Sequence, residues 1–193
     1  SLNSDGYTLG TATALNNSGT TNVGWAWDAG SSTVSNTDGS ITSSVRASQT
    51  NGCSIVTYTG NGTSGASFGH GLGKSPEFAI IKCLDLGHDW IVYHKGTGNT
   101  SALRLNGTNT ADTNSKWFNN TSPSSTTFTL GYTVGTNENN GNFVAYCFAP
   151  IEGFSAFGSF ESGSDPFVYL GFAPRWVLLK RTDAVAHWYM FDS

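Results

Sequence analysis

Charged residues are scarce in this chain. Asp, Glu, Lys and Arg make up 11% of its 193 residues, against about a quarter in an average globular protein. The formal net charge is -4, and no stretch of Lys and Arg builds a basic face. Proteins that bind nucleic acid use such a face to neutralise phosphates. We therefore expect no nucleic-acid partner.

Long apolar runs and helical patterns are also missing. No apolar run approaches the ~20 residues that a membrane-spanning helix needs, so we expect no membrane insertion. The helix formers Glu, Lys, Ala and Leu are scarce, and no long stretch shows a helical period. The sequence does not begin with Met and has no signal-peptide pattern, so we expect a processed chain or a segment of a longer one.

Cysteine is limited to Cys53, Cys83 and Cys147. Three is an odd number, and the spacing matches neither CxxC nor another metal-binding pattern. At most one disulfide can form. Each cysteine lies within an apolar strand pattern, which favours buried free thiols.

Strand formers and turn formers are what the sequence has in quantity. It contains 24 Gly, and short runs of β-branched and aromatic residues alternate with clusters of Gly, Asn, Ser and Thr. "NFVAYCF" places Phe143 and Cys147 on one face and Val144 and Phe148 on the other, which is typical of a strand between two layers. We predict an all-β fold of β-sandwich or jelly-roll-like units. The predicted strands are Tyr7–Gly10, Val23–Ala29, Cys53–Thr59, Glu77–Asp85, Trp90–His94, Ala102–Leu105, Trp117–Phe118, Thr126–Tyr132, Asn142–Ala149, Phe154–Phe160, Phe167–Tyr169, Arg175–Thr182 and His187–Asp192.

An internal repeat of about 100 residues runs through the sequence. Residues 75–94 match residues 173–192 without gaps at an offset of 98. A second match, at an offset of 121, aligns "GYTLG" with "TFTLG" and "VGWAWDA" with "VAYCFAP". At the first offset Pro76 aligns with Pro174, Phe78 with Trp176, Ile80 and Ile81 with Leu178 and Leu179, Lys82 with Lys180, Asp85 with Asp183, Trp90 with Trp188 and Tyr93 with Phe191.

The repeat predicts four segments. Residues 1–29 hold the closing strands of a partial β unit, and residues 30–51 form an extended arm or a flexible linker. Residues 52–150 form a complete β-sandwich unit, and residues 151–193 hold the opening strands of a second partial unit. The two partial units could join within one chain, could pair with those of neighbouring chains, or could be remnants of a longer repeat array.

Several phrases of the sequence resemble a known family. "SIVTYTGNGTSGASFGHGLGKSPEFAIIK", "WFNNTSPSSTTFTLG", "VAYCFAPIEGFSAFGSF" and "GFAPRWVLLKRTD" are similar to an uncharacterised domain family that recurs in predicted tail and appendage proteins of bacteriophages. The resemblance covers nearly the whole chain. It implies a β-rich structural module with an extracellular or virion location, and it transfers no catalytic residue.

The residues themselves offer no catalytic, cofactor or metal site. "GHGLGK" lacks the spacing of a phosphate-binding loop and precedes a strand, so we interpret it as a glycine-rich turn. His88 and His94 would lie about 20 Å apart on an extended strand, too far to share a metal ion. The glutamates show no paired-carboxylate context of the kind that glycosidases use. We therefore predict a protein that is not an enzyme.

We interpret the protein as a structural subunit of an extracellular or virion fibre or filament that self-assembles through β-strand complementation. The partners are other copies of the chain, as a homo-oligomer or helical polymer. The alternative is a glycan-binding, receptor-recognition module of a phage tail fibre, contacting host-surface glycans through Trp117. The predicted assembly residues are Leu9, Val23, Trp25, Trp27, Val34, Ile41, Val45, Phe154, Phe157, Trp176, Leu178, Trp188 and Phe191.

Overall fold

A computed structural model describes residue 3, residues 5–163 and residues 167–192. Strands dominate these residues, as the all-β prediction requires, and helix is limited to short turns. The elements are β1 (Thr33–Asn36), β2 (Ser43–Ser48), β3 (Cys53–Thr59), β4 (Ser67–Gly69), β5 (Phe78–Cys83), β6 (Ile91–His94), a 3-10 turn (Lys95–Thr97), β7 (Ser101–Arg104), β8 (Asp112–Thr113), β9 (Thr127–Thr129), α1 (Val134–Asn137), β10 (Asn142–Phe148), β11 (Trp176–Lys180) and β12 (Trp188–Asp192).

The largest sheet has eight antiparallel strands in the order β1-β2-β3-β10-β5-β6-β7-β8. Strand β10 lies at its centre, because Val144 pairs with Thr57 of β3 on one side and with Lys82 of β5 on the other. A central strand is covered on both faces when both of its side-chain rows are apolar. The sequence pattern of β10 meets that condition.

The first face of this sheet carries Phe143, Ala145 and Cys147 of β10, and all three are fully buried. The small sheet of β4 and β9 covers this face, with Phe68 opposite Phe128. The ring of Tyr58 stacks between Phe68 at 4.7 Å and Phe143 at 5.2 Å. Aromatic burial of this kind is the largest favourable term in such a core.

The second face of the sheet carries Val144, Tyr146 and Phe148 of β10, and the β11–β12 hairpin packs over part of it. Its buried centre consists of Phe78, Val92 and Leu103. The ring of Phe157 stacks on Phe78 at 5.8 Å, and side chains from the hairpin pack against the same cluster. Two covered faces are consistent with a β-sandwich.

Two buried polar side chains fix the loops above the first face. The Asn137 amide donates to the carbonyl oxygens of Thr63 and Gly131, both at 2.9 Å, and its oxygen accepts from the Asn61 amide at 2.9 Å. His70 accepts a hydrogen bond at Nδ1 from the Leu72 amide at 3.2 Å, and its Nε2 lies 3.2 Å from the Ser124 carbonyl oxygen. These bonds require a neutral ring with its proton on Nε2. Both side chains therefore have the partners that burial demands.

The structure corrects the prediction that residues 30–51 form an arm or linker, because these residues contribute two strands to the large sheet. They form β1 and β2, and β2 pairs with β3 along its whole length. Ile41 and Val45 are buried in the core of their own chain, whereas Val34 is exposed. The assembly role predicted for Ile41 and Val45 is therefore wrong, since a second copy cannot reach them.

Several predicted strands differ from those observed. Strands β3, β5, β6, β7, β9, β10, β11 and β12 lie where strands were predicted, to within a few residues at their ends. Strands β1, β2, β4 and β8 were not predicted. The stretches Tyr7–Gly10, Val23–Ala29, Trp117–Phe118, Phe154–Phe160 and Phe167–Tyr169 form no named strand.

The three cysteines are buried free thiols, as predicted. Burial, with a smaller contribution from Asp28, raises the pKa of the Cys53 thiol to about 11. Burial also raises the pKa of Cys147 far above its usual range. Because the thiolate is the reactive form, these groups are poor nucleophiles at neutral pH.

We expect none of the three thiols of the folded chain to react with a maleimide at neutral pH. In denaturant, all three thiols become accessible and should be labelled. Intact-mass spectrometry before and after denaturation measures both states. Labelling of the folded protein at the rate of a free model thiol would contradict this account of the core.

The stability of the fold should decrease on acidification. Burial lowers the pKa of His70 below its ordinary value of 6.5, although the Ser124 carbonyl and Asp38 act in the opposite direction. The unfolded chain therefore takes up a proton at a higher pH than the folded chain does, and stability is lost as the pH falls below about 6.5.

His70→Gln should reduce the loss in melting temperature between about pH 7.5 and pH 5.5, because the variant has no group to titrate at this position. The matched control is His187→Gln, which replaces an exposed imidazole and should keep the wild-type difference. Half-buried His94, whose pKa is also lowered by burial, contributes to the remaining dependence. Equal pH dependence in wild type and His70→Gln would refute the assignment.

Candidate functional site

The β11–β12 hairpin repeats the geometry of the β5–β6 hairpin. In β5–β6, Phe78 lies opposite His94. In β11–β12, Trp176 lies opposite Asp192, which is the same pairing shifted by 98 residues. Every pair of the first hairpin has its counterpart in the second. At the level of this hairpin the sequence repeat is thus also a repeat of strand register, whereas the repeat of a whole unit stays a prediction.

The hairpin is attached to the second face of the large sheet. The indole Nε1 of Trp188 donates to the Arg104 carbonyl oxygen at 2.8 Å. Leu178 and Trp188 pack against the cluster around Phe78. Leu178 is the repeat counterpart of Ile80, which faces the same cluster from the large sheet. The two hairpins therefore meet through equivalent faces.

Loop contacts hold the turn of the hairpin as well. The Ala111 amide donates to the Thr182 carbonyl oxygen at 2.9 Å, and the Ala186 amide donates to the Thr108 carbonyl oxygen at 3.0 Å. The Lys180 ammonium lies 3.5 Å from the same Thr108 oxygen. These polar contacts fix the hairpin at its turn end.

The opposite face of the hairpin is exposed on β12, whereas Val177 and Leu179 of β11 on the same face are half-buried. Tyr189 and Phe191 are 56% and 57% exposed, whereas their counterparts in the first hairpin, Ile91 and Tyr93, are 2% and 4% exposed. In the first hairpin these positions form the core beneath β4 and β9. Within the described residues, no corresponding layer lies over the second hairpin.

The outer edge of β11 is also open. Its counterpart β5 lies between β6 and β10, whereas β11 pairs with β12 alone in the part of the chain that the structure describes. An apolar strand with unpaired backbone N–H and C=O groups is a template for another strand. The site is therefore a hairpin that lacks both an edge neighbour and a cover.

Two segments near the start of the chain match the elements that the hairpin lacks. Tyr7 and Leu9 are the counterparts of core residues Phe128 and Leu130, yet they are 57% and 45% exposed. Residues 23–27 are the counterpart of 144–148 in β10 and are exposed throughout. The ring of Trp27 lies 6.0 Å from that of Trp176 and 6.1 Å from that of Phe148.

The predicted assembly residues are only partly available at the surface. Leu9, Val23, Trp25, Trp27, Val34, Phe154 and Phe191 are exposed. Phe157, Trp176, Leu178 and Trp188 are half-buried. Phe157, Leu178 and Trp188 pack against the cluster on the second face of the large sheet, and the ring of Trp176 lies beside that of Trp27. Sequence reasoning missed Tyr7, Val177, Leu179 and Tyr189. The repeat could have found them, because it aligns all four with core positions.

Trp117 is not available as a glycan contact. Its side chain is 5% exposed and belongs to the core of the first face. The Lys116 ammonium and the Arg104 guanidinium lie 4.7 and 5.5 Å from its ring centroid. The ring therefore already has cation–π partners within its own chain.

The described residues hold no group of three or more metal-ligating side chains. His88 pairs with Glu138 at 3.5 Å, and His94 accepts from the Gly96 amide, so the two histidines have separate partners. Among the same residues, no helix is long and apolar enough to cross a membrane. What the arrangement offers is apolar surface and unpaired strand edge.

Comparison with known proteins identifies a family. The model of a domain family described as a domain of unknown function, DUF7483, matches residues 1–193. No curated protein and no solved structure matches the chain.

A matched pair of substitutions measures the difference between the two hairpins. Tyr93→Ala removes a buried ring that packs at 5.4 Å against both Phe118 and Phe128, and should cost about 3–5 kcal/mol of unfolding free energy. Phe191→Ala, at the equivalent position, should cost less than about 0.5 kcal/mol in dilute protein. Urea unfolding followed by fluorescence measures both values. Equal losses would mean that the second hairpin is covered.

Proposed function

The chain belongs to the DUF7483 domain family, and from the geometry above we propose that it is a structural subunit of a fibre or filament. In this proposal the protein is not an enzyme, and its partners are other copies of itself. Copies associate by β-strand complementation, in which one copy supplies strands that the second hairpin of another copy lacks.

One observation carries the proposal: β11–β12 has the register of β5–β6 but not its neighbours. In the first hairpin the equivalent edge and face are buried by β10, β4 and β9. A two-stranded sheet with an uncovered apolar face is marginally stable in water. Association with a further strand and a covering layer would pair the open edge and bury the apolar face, and would thereby stabilise the hairpin.

The low content of charge supports a homotypic contact. Residues 23–27 carry no charged side chain, and β11 carries only Lys180. Lys180 lies at the turn end of β11, where its ammonium donates to the Arg181 carbonyl oxygen at 2.7 Å. The rest of the β11 edge has none of the charges that commonly keep strand edges apart. The proposed location, extracellular or on a virion, rests on the resemblance of the sequence phrases to phage tail and appendage proteins.

The alternative proposal, a receptor module for host-surface glycans, has less support. The residue named for it, Trp117, is buried. A glycan site would need another exposed aromatic cluster with convergent polar groups. The exposed aromatic residues are instead spread along the chain, namely Tyr7, Trp25, Trp27, Tyr132, Phe154, Phe160, Phe167, Tyr169, Tyr189 and Phe191.

The proposal is tested by sedimentation velocity over a concentration series, with negative-stain microscopy of the same samples. We expect the full chain to form concentration-dependent multimers and regular filaments. Deletion of residues 1–27 should leave monomers in which the eight-stranded sheet is still folded, as judged by hydrogen exchange. Asp28 and Ala29 are retained because they contact the first unit.

The matched control is Val185→Ser, which removes an exposed apolar side chain from the turn of the second hairpin. It should assemble like the full chain, because the turn lies outside the proposed contact. A full chain that stays monomeric at every concentration would rule out assembly. Specific binding of such a monomer to a glycan would favour the alternative.

A further inference from the structure

We propose that residues 7–9 and 23–27 of a second copy complete the β11–β12 hairpin, with 23–27 as a third strand beside β11 and Trp27 opposite Trp176. This inference rests on the proposed function. It goes further by naming the donor residues, the acceptor strand and the register between them.

The register follows from the first unit. There Phe148 of β10 lies opposite Phe78 of β5, and the two strands are antiparallel. The repeat offsets carry Phe148 to Trp27 and Phe78 to Trp176. The same mapping places Ala26 opposite Val177, and continues as Trp25 opposite Leu178, Gly24 opposite Leu179 and Val23 opposite Lys180.

A ring contact in the structure supports this register. The centroids of Trp27 and Trp176 lie 6.0 Å apart with the rings edge to face, and those of their counterparts Phe148 and Phe78 lie 5.5 Å apart with the rings stacked. The two contacts therefore agree in the position of the rings but not in their orientation. A strand exchanged between copies makes the same contacts that it makes within a single chain. The contact therefore reports where Trp27 fits when the strand is donated.

The same comparison with the first unit indicates which residues would cover the exposed face of the β11–β12 hairpin. In the first unit, Phe128 meets Tyr93 edge to face at 5.4 Å. The counterparts are Tyr7 and Phe191, both exposed in the described chain. Donation of residues 7–9 together with 23–27 would bury this pair, so a single donor supplies both the edge strand and the cover.

The source of the donor is a second copy because the described chain does not complete its own hairpin. Residues 23–27 form no ladder with β11, although the ring of Trp27 lies beside that of Trp176. Beyond them the chain is held on the first unit. The Asn51 amide donates to the Asp28 carbonyl oxygen at 3.1 Å, and the Arg46 guanidinium donates to the Gly30 carbonyl oxygen at 2.6 Å.

Residues 28–30 can therefore act as the hinge from which the donor segment extends. Each copy carries one donor segment and one acceptor hairpin, and these are different surfaces. A contact between different surfaces is heterologous, and it propagates into a chain of copies unless its rotation closes a ring.

Disulfide trapping in the full chain tests the register. The double variant Ala26→Cys with Val177→Cys puts two thiols opposite each other across the proposed strand pair, at a separation that a disulfide can span. Its matched control, Ala26→Cys with Leu179→Cys, moves one thiol two residues along the same face and out of range. Both variants are oxidised at the assembling concentration and run on non-reducing gels, and circular dichroism verifies that each is folded.

Covalent dimers and higher multimers in the in-register variant, absent in the control and lost on reduction, are the expected result. An intramolecular disulfide, identified by peptide mapping of the monomer band, would overturn donation between copies. Equal cross-linking in both variants, or none in either while filaments persist, would overturn the register but leave the proposed assembly standing. If the wild-type chain itself forms no filaments, that result contradicts the proposed function, independently of the register.

Discussion

Strand β10 is apolar on both sides, and most of the architecture follows from covering both. Its first row of side chains, Phe143, Ala145 and Cys147, is fully buried beneath β4 and β9. Its second row ends in Phe148, which packs with Phe78 under the region occupied by Trp27 and the second hairpin. Burial of large apolar side chains is the main source of stability in a domain of this size. A single layer over the sheet would leave one row in water.

The same requirement makes the second hairpin the unusual part of the molecule. β11 and β12 inherit the apolar pattern of β5 and β6, so they too have two faces to bury. One face is satisfied by the large sheet, through Leu178 and Trp188. On the other face, the side chains of Tyr189 and Phe191 are exposed in the described chain. This exposed face, with the open edge of β11 beside it, is the observation on which the proposed assembly role rests.

Much of the fold could be predicted because several strands have a strong local pattern. The predicted span of β3 is identical to the observed one, and β10 differs by one residue at its end. β1 and β2 were missed because most of their residues are polar: β1 is the exposed edge strand, and three of the six residues of β2 are Ser, so each strand has only one large apolar side chain, a valine. Residues 23–29 show the converse, since they have a strand pattern but no partner beside which to form a ladder. Strand formation depends on pairing and packing more than on intrinsic preference.

The candidate site could be predicted in part. The repeat identified Trp27, Trp176 and Phe191 as counterparts of core residues, and the structure places Trp27 beside Trp176. Ile41 and Val45 were assigned to an assembly surface, and Trp117 was named as a possible glycan contact in the alternative function, although all three are buried. The error has a physical cause: a single apolar residue in a polar stretch shows no alternation, so the sequence does not indicate whether its side chain faces a core or the solvent.

The sequence by itself determined the β class, the two-sided pattern of β10 and the register relation between the two hairpins, because alternation and repeat offset are local properties of the chain. Only the tertiary structure decided which apolar rows are covered. Burial depends on what lies opposite a side chain, and for Tyr93 that is Phe128, whereas for Phe191 it is solvent.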